Sequence, residues 1–352
     1  MTKNVAATPQ AFRNQFFMLL YESKRVLVTS HIKPDDDSIA SVLVMAHLLS
    51  TQFPQLTVDL LYTGEPYDRW LSFAEYKRIQ FVSDIADSIT SYDTAIFLDG
   101  GTYGRFSRQP DALRQSAIKT VCIDQHASPS DNFDLAWIKP AAATTAHLYD
   151  LFFKDNMQAV SPELAKILLM GITGDTGHFQ FVRPEETQVI EASAMLIQRV
   201  GKSISELEES YDTHSADAFA LVQAFVAQSK VVEVSGWPPY MTSFISREIA
   251  DLYAQSDIEV ASAIYISHFG RFLRQAPWGV VLYPTDGGNV AISLRSRHNG
   301  GVLVRRIAER MGIGGGHDLA AGGMFQSQGT PLNPEDCLAE IAVWLAQNPK
   351  AE

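Results

Sequence analysis

His31-Ile32-Lys33-Pro34-Asp35-Asp36-Asp37 sets one imidazole and three carboxylates side by side, directly after the apolar run Arg25-Val26-Leu27-Val28-Thr29. Imidazole nitrogen mixed with carboxylate oxygen suits a borderline cation such as manganese, and magnesium less well. A plainer reading fits the same residues. Asp37-Ser38 precede the apolar stretch from Ile39 to Leu49, and carboxylates favour the positive end of a helix. Three further clusters shift the balance towards chemistry. Thr94 to Gly101 ends in Asp99-Gly100-Gly101, Thr120 to His126 ends in Asp124-Gln125-His126, and Leu168 to Gly177 carries Asp175 among glycines. A single strand-end Asp is usually a turn residue. Four acidic clusters, two with a nearby His, could instead hold two cations bridged by carboxylates. Such a pair clamps the attacking and leaving oxygens at phosphorus.

Those clusters need elements to position them. Short β-branched runs alternate with helical periodicity to about residue 200, which predicts an α/β fold with a doubly wound, mostly parallel sheet. Polar residues just past the strands' carboxyl ends then fall where such sheets place their sites. Thr8-Pro9 opens a helix, and Pro184 to Val200, closed by Gly201, ends this first domain, residues 1–200. Residues 201–230, with Leu207, Tyr211, Phe219, Leu221 and Phe225, read as a helical linker. Residues 231–352 read as a smaller α/β domain that begins with a strand. Val280-Val281-Leu282-Tyr283 and Val290-Ala291-Ile292-Ser293-Leu294 flank Pro284-Thr285-Asp286-Gly287-Gly288, a hairpin signal. A helix over Gly301 to Met311, capped by Gly312, leads into Gly314, Gly315 and Gly316. A flexible turn accounts for such a run. With His317 beside it, the run also lets backbone amides approach a ligand phosphate or base without Cβ interference. Arg295 offers a planar fork to phosphate oxygens and Ser296 a hydroxyl.

Composition narrows the partners. A chain of 352 residues suits two cores, and 46% hydrophobic with 19% charged residues is ordinary for globular folds. No run of 18 apolar residues occurs, so no membrane partner is expected. Met1 to Gln15 lacks a basic region followed by an apolar one, and Cys122 and Cys337 read as free thiols, which points to the cytoplasm. A net charge of −12, with only local basic groups at Arg295, Arg297, Arg305 and Arg306, argues against a long duplex nucleic acid. A short or mononucleotide-like phosphate ligand fits better.

The ordered set His31-x-x-Pro34-Asp35-x-Asp37, Asp99, Asp124-Gln125-His126 and Asp175-Thr176-Gly177 resembles the four motifs of the DHH phosphoesterase superfamily. Gly314-Gly315-Gly316-His317-Asp318-Leu319-Ala320-Ala321-Gly322 resembles the signature of its companion DHHA1 domain, and Ala291 to Ser296 is similar to the strand before it. The likeness spans nearly the whole chain and is to the NrnA-like nano-RNase and pAp-phosphatase type. It implies one divalent cation on His31, Asp35, Asp99 and Asp175, and a second on Asp37, Asp99, Asp175 and the residue at 125. It further implies that His126 faces the scissile phosphate, that Asp124 orients it, and that Arg295, Ser296, Gly314, Gly315, Gly316 and His317 hold the nucleotide between the domains. Gln125 departs from the Asp-His-His pattern, and a neutral amide is a poorer donor than imidazole for a transition metal. The second site is then weaker or better suited to Mg2+, with Mn2+ at the first. Asp36, where the family often has Gly, could add negative charge beside the cations. The implied activity is hydrolysis of pAp, linear dinucleotides, short oligoribonucleotides or cyclic dinucleotides by metal-activated hydroxide. An exopolyphosphatase or pyrophosphatase, and a nucleotide-binding protein impaired by Gln125, are the alternatives. An exposed apolar helix face in the first domain could support a homodimer.

Overall fold

Arg25–Ser30 (β1) is buried on both faces along most of its length, and its two neighbours are strands of the same kind. The computed structural model of the protein describes residues 7–126, 130–209 and 213–349. It divides the chain into two units, Met1–Asp212 and Thr213–Glu352. In the first unit, β1 is joined by Thr57–Thr63 (β2), Ile79–Val82 (β3), Thr94–Leu98 (β4), Lys119–Asp124 (β5) and Leu135–Ile138 (β6). All the pairings are parallel, in the order β3-β2-β1-β4-β5-β6. Parallel strands covered on both sides can be apolar without alternation, which is why β1, β4 and β5 read as continuous hydrophobic runs. Helices Pro9–Tyr21 (α1), Asp36–Gln52 (α2), Thr144–Phe152 (α3), Pro162–Asp175 (α4) and Gln188–Val200 (α5) build one core with Val26, Val28, Ile96 and Val121. Leu27, Phe97 and Cys122 face the other way, onto Ile85, Phe106 and Phe133. Strand order reverses between β1 and β4. The loops after those two strands therefore part, leaving a crevice at the carboxyl edge.

Local chemistry fixes the helix starts. Thr8 accepts the amide of Ala11 ahead of Pro9, and Gly201 closes α5 in the left-handed conformation with φ 72°. Helix α3 has no cap from its own side chains. It is tied to the sheet instead through His147. The His147 Nε2–H donates to the Lys139 carbonyl at 2.7 Å, which leaves Nδ1 to accept from the Trp137 indole at 3.3 Å.

The second unit opens with a helix, and the strand expected at residue 231 follows it. Ala216–Ala227 (α6) and Gln255–His268 (α7) pack on one face of a mixed sheet, contributing Leu221, Phe225, Ala261 and Tyr265 to its core. The strands are Lys230–Val232 (β7), Tyr240–Phe244 (β8), Trp278–Pro284 (β9), Val290–Ser296 (β10), Gly314–His317 (β11) and Ala320–Phe325 (β12). They run in the order β11-β12-β10-β9-β8-β7, with β8 and β9 parallel and the other pairings antiparallel. Pro334–Gln347 (α8) and Val304–Arg310 cover the opposite face with Ile307, Ile341 and Leu345. The segment read as a linker is divided: Ile204–Glu208 belongs to the first unit and α6 to the second, while Tyr211 lies outside the described residues. The expected hairpin is β9–β10. The helix expected from Gly301 begins at Val304.

The triple glycine is a strand and not a loop. A Cβ on Gly314 would stand 2.0 Å from the Gly322 carbonyl oxygen, and one on Gly323 would stand 1.9 Å from that of Ile313. Glycine is required there because β11 and β12 approach more closely than side chains permit.

Burial pushes the His147 imidazole below its ordinary value, so the unfolded chain takes up the proton first. The stability this residue contributes is present above about pH 6.5 and is lost as pH falls below it. Urea unfolding of wild type and His147→Gln should therefore converge in stability between about pH 7 and pH 5. A difference that stays constant with pH would show that His147 remains charged or solvated in the fold.

Candidate active site

Asp35 does two jobs with one carboxylate. It caps α2, its Oδ1 accepting the Ser38 amide at 2.9 Å while Ser38 Oγ accepts the Asp35 amide at 2.8 Å. Its Oδ2 lies 3.4 Å from His31 Nε2. The helix-cap reading of the acidic run thus holds for this residue, and the same carboxylate faces His31. Asp99 follows β4 in the left-handed conformation, φ 57°, which Asp tolerates better than most residues. That turn aims its carboxylate back across the crevice, with Oδ2 3.2 Å from His31 Nε2. From β5, the His126 Nδ1–H donates to Asp124 Oδ1 at 2.7 Å, and His126 Nδ1 lies 3.7 Å from Asp99 Oδ1. Gly101 makes room for this: a Cβ there would stand 3.1 Å from Asp124 Oδ2.

Two sets of donor atoms come within 4.8 Å of one another. They are His31, Asp35 and Asp99, and Asp99, Asp124 and His126. Asp99 belongs to both.

Asp37, Asp175 and Gln125 are in neither set. Asp37 accepts the amides of Thr144 and Thr145 at 2.7 and 2.9 Å and the Thr145 hydroxyl at 2.5 Å, so it caps α3 from across the fold. Gln125 Nε2 donates to Asp175 Oδ2 at 2.7 Å. Thr144 Oγ1 donates to Asp99 Oδ1 at 3.0 Å. Sequence reasoning gives these two threonines no role in the centre. Nothing local marks Thr144 or Thr145 as contacts of acids so distant in sequence.

Electrostatics show what the centre lacks. Burial opposes a charge on His31, yet Asp35 and Asp99 outweigh it and hold the imidazole well above its usual range. Burial would likewise raise Asp99, but the bond and charge of His31 keep it low. Asp37 is pushed well up by burial and then by Asp99 and Asp175. Asp175 is pushed up to about 8, by burial and then by Asp99 and Asp35. Acids this close cannot all ionise without added positive charge. A divalent cation supplies it, and oxygen donors joined by one imidazole fit such an ion.

Asp36 does not add free charge to this centre. Arg69 Nη1 lies 2.8 Å from its Oδ2, and the Trp70 indole donates to its Oδ1 at 2.9 Å. Gly174, next to Asp175, packs so tightly on Asp36 that a Cβ would stand 2.5 Å from the Asp36 Cβ. The neutralised pair locks the ends of α2 and α4 together.

In the second unit the strand register sorts the remaining candidates. Cross-strand partners share a face. Arg295 pairs with Gly279 on β9 and Ala320 on β12, and Ala320 pairs with His317. Gly315 pairs with Gly322 and joins that same face. Gly314, Gly316 and Ser296 alternate onto the other. Ser296 departs from the expected ligand contact because its buried Oγ accepts the Val302 amide at 2.8 Å and is spent on the turn.

A carboxylate centre at the switch point of a doubly wound sheet, with a glycine-floored second unit, defines a two-unit α/β protein built to hold a cation. Sequence comparison is more specific. Residues 25–172 match the DHH family, N-terminal domain, and residues 260–347 match the DHHA1 domain. The chain belongs to the DHH/DHHA1 family. It is 25% identical over 297 residues, 84% of this chain and 88% of the relative, to the probable bifunctional oligoribonuclease and PAP phosphatase NrnA of Streptococcus mutans. It is 23% identical over 311 residues, 88% of this chain and 91% of the relative, to the bifunctional oligoribonuclease and PAP phosphatase NrnA of Bacillus subtilis. The crystal structure of an exopolyphosphatase-related protein from Bacteroides fragilis has the same fold, with a TM-score of 0.79 at 21% identity over 100% of both chains.

Removing one partner of a buried ion pair strands the other, and Arg69 is only partly exposed. Arg69→Ala should cost about 3 kcal/mol in urea unfolding. A loss below about 0.5 kcal/mol would place the Asp36–Arg69 pair among ordinary surface bridges.

Proposed function

We propose that this chain is a metal-dependent phosphoesterase hydrolysing short nucleotidyl phosphoesters: pAp, linear dinucleotides and short oligoribonucleotides. One observation carries the reading. Asp99 is shared by a His-Asp-Asp donor set and by a second set whose His126 is held by Asp124. His31, Asp35 and Asp99 would hold one divalent cation, which we assign to Mn2+ from the mixed nitrogen and oxygen donors. When bound, that cation makes water acidic enough to supply hydroxide near neutral pH and neutralises charge at phosphorus.

The chain's own residues do the rest. Asp124 orients the His126 ring by accepting from Nδ1, so that Nε2 is the nitrogen that acts on the phosphate or the leaving oxygen. Burial opposes a charge on His126, but Asp124 and then Asp99 outweigh it and raise its pKa above the ordinary value. Thr144 and His31 keep Asp99 from turning away. In the second unit, Arg295, Gly315 and His317 recognise the nucleotide. The net charge of −12 disfavours long duplexes, and two buried free thiols agree with a reducing cytoplasm. Among the described residues, no helix is long and apolar enough to cross a membrane.

The Gln125–Asp175 bond favours a second reading, a protein that binds nucleotides without cutting them. Turnover separates the two. With Mn2+, wild type should release adenosine monophosphate from pAp and from linear diadenylate. His126→Asn should lower kcat by about a hundredfold or more. Wild type inactive on both substrates, with activity gained in Gln125→His, would establish the second reading.

A further inference from the structure

The residues that would hold a second cation are engaged with the protein instead. Asp37 Oδ2 accepts the Thr144 amide at 2.7 Å, and its Oδ1 accepts the amide and the hydroxyl of Thr145 at 2.9 and 2.5 Å. A carboxylate has about four lone-pair positions, so these bonds fill most of them. Asp37 is also buried, and its donors belong to the first turn of α3.

Gln125 goes further. An ionised carboxylate only accepts, so the buried amide meets Asp175 Oδ2, at 2.7 Å, through its nitrogen. The Gln125 carbonyl oxygen, the one side-chain atom that could ligate an ion, is turned away from that carboxylate oxygen. An imidazole can present a lone pair beside a carboxylate, whereas an amide NH2 has none to give. The donor set of Asp99, Asp124 and His126 does not make up the loss. Within it the His126 Nδ1–H donates to Asp124 Oδ1 at 2.7 Å, so a nitrogen and an oxygen of that set face each other.

His31 is arranged in the opposite way. Its Nδ1–H donates to the Ile32 carbonyl at 3.0 Å, which turns Nε2 to Asp35 Oδ2 at 3.4 Å and Asp99 Oδ2 at 3.2 Å. An imidazole held at one nitrogen by a backbone carbonyl is prepared to ligate with the other. We propose that Gln125 makes this a single-cation centre: its amide takes the place of a second ion at Asp175, and the chain holds one divalent cation, on His31, Asp35 and Asp99. This deepens the functional reading above and rests on it for that cation.

Counting Mn2+ on the full chain by equilibrium dialysis, with electron paramagnetic resonance of the bound ion, tests it from micromolar to millimolar free metal. Wild type should give the spectrum of an isolated ion throughout, with one tightly held Mn2+ per chain. Gln125→His should gain a second ion and the exchange-coupled spectrum of a carboxylate-bridged pair. Asp35→Asn should lose the tight ion, which ties the ion counted to the His31 site. A coupled pair in wild type would overturn the proposal, as would a tight ion that survives Asp35→Asn. Gln125→His with no coupled second ion would remove the role given to Gln125, and wild type holding no ion would overturn this proposal and the functional reading together. Should wild type hold its one isolated ion and hydrolyse neither pAp nor diadenylate, the phosphoesterase reading fails and the single-cation centre stands.

Discussion

Mutual repulsion among carboxylates at one crevice is the constraint that the first unit is built around. Asp35, Asp37, Asp99 and Asp175 arrive from α2, from the end of β4 and from the end of α4. Left alone they would part or take up protons. Each is met by a partner from a different element: Asp35 and Asp99 by His31, Asp37 by the amides of α3, and Asp175 by Gln125. The α3 amides oppose burial at Asp37, at the positive end of a helix, yet burial and the charges of Asp99 and Asp175 still push it well up. What these partners cannot neutralise is the charge around Asp99, the acid common to both donor sets. A cation there completes the electrostatics of a fold whose strand order already opens the crevice.

The same logic separates the two acidic neighbours in the α2 turn. Asp35 keeps 53% of its side chain exposed at the crevice, whereas Asp36 is buried against Arg69 and Trp70. Asp35 is the extended N-cap, φ −132°, and Asp36 the first residue of the helix, so the two carboxylates leave the backbone in different directions. Asp36 consequently acts on packing, by fixing α2 to the end of α4.

Much of this was legible in the sequence. Continuous apolar runs ending in acid marked β1, β4 and β5, and alternation with helices gave the parallel sheet. His31, Asp35, Asp99, Asp124 and His126 stood out because each lies at the end of such a run or within a few residues past it. Partner choice was not legible. That Asp37 would cap α3, that Gln125 would turn its amide to Asp175, and that Ser296 would be spent on Val302 depend on contacts remote in sequence or on strand parity. The triple glycine shows the same limit. Glycine predicts close approach, but whether of a ligand or of a second strand is decided only by the pairing of Gly314 with Gly323.

The central claim is that Asp99 anchors a divalent cation with His31 and Asp35, in a site made for phosphate ester hydrolysis. Anomalous scattering from manganese-soaked crystals grown with pAp tests it most directly. The account predicts a manganese peak bonded to His31 Nε2 and to the carboxylates of Asp35 and Asp99. Crystals with no peak at those three residues, under conditions where pAp is still turned over, would contradict it.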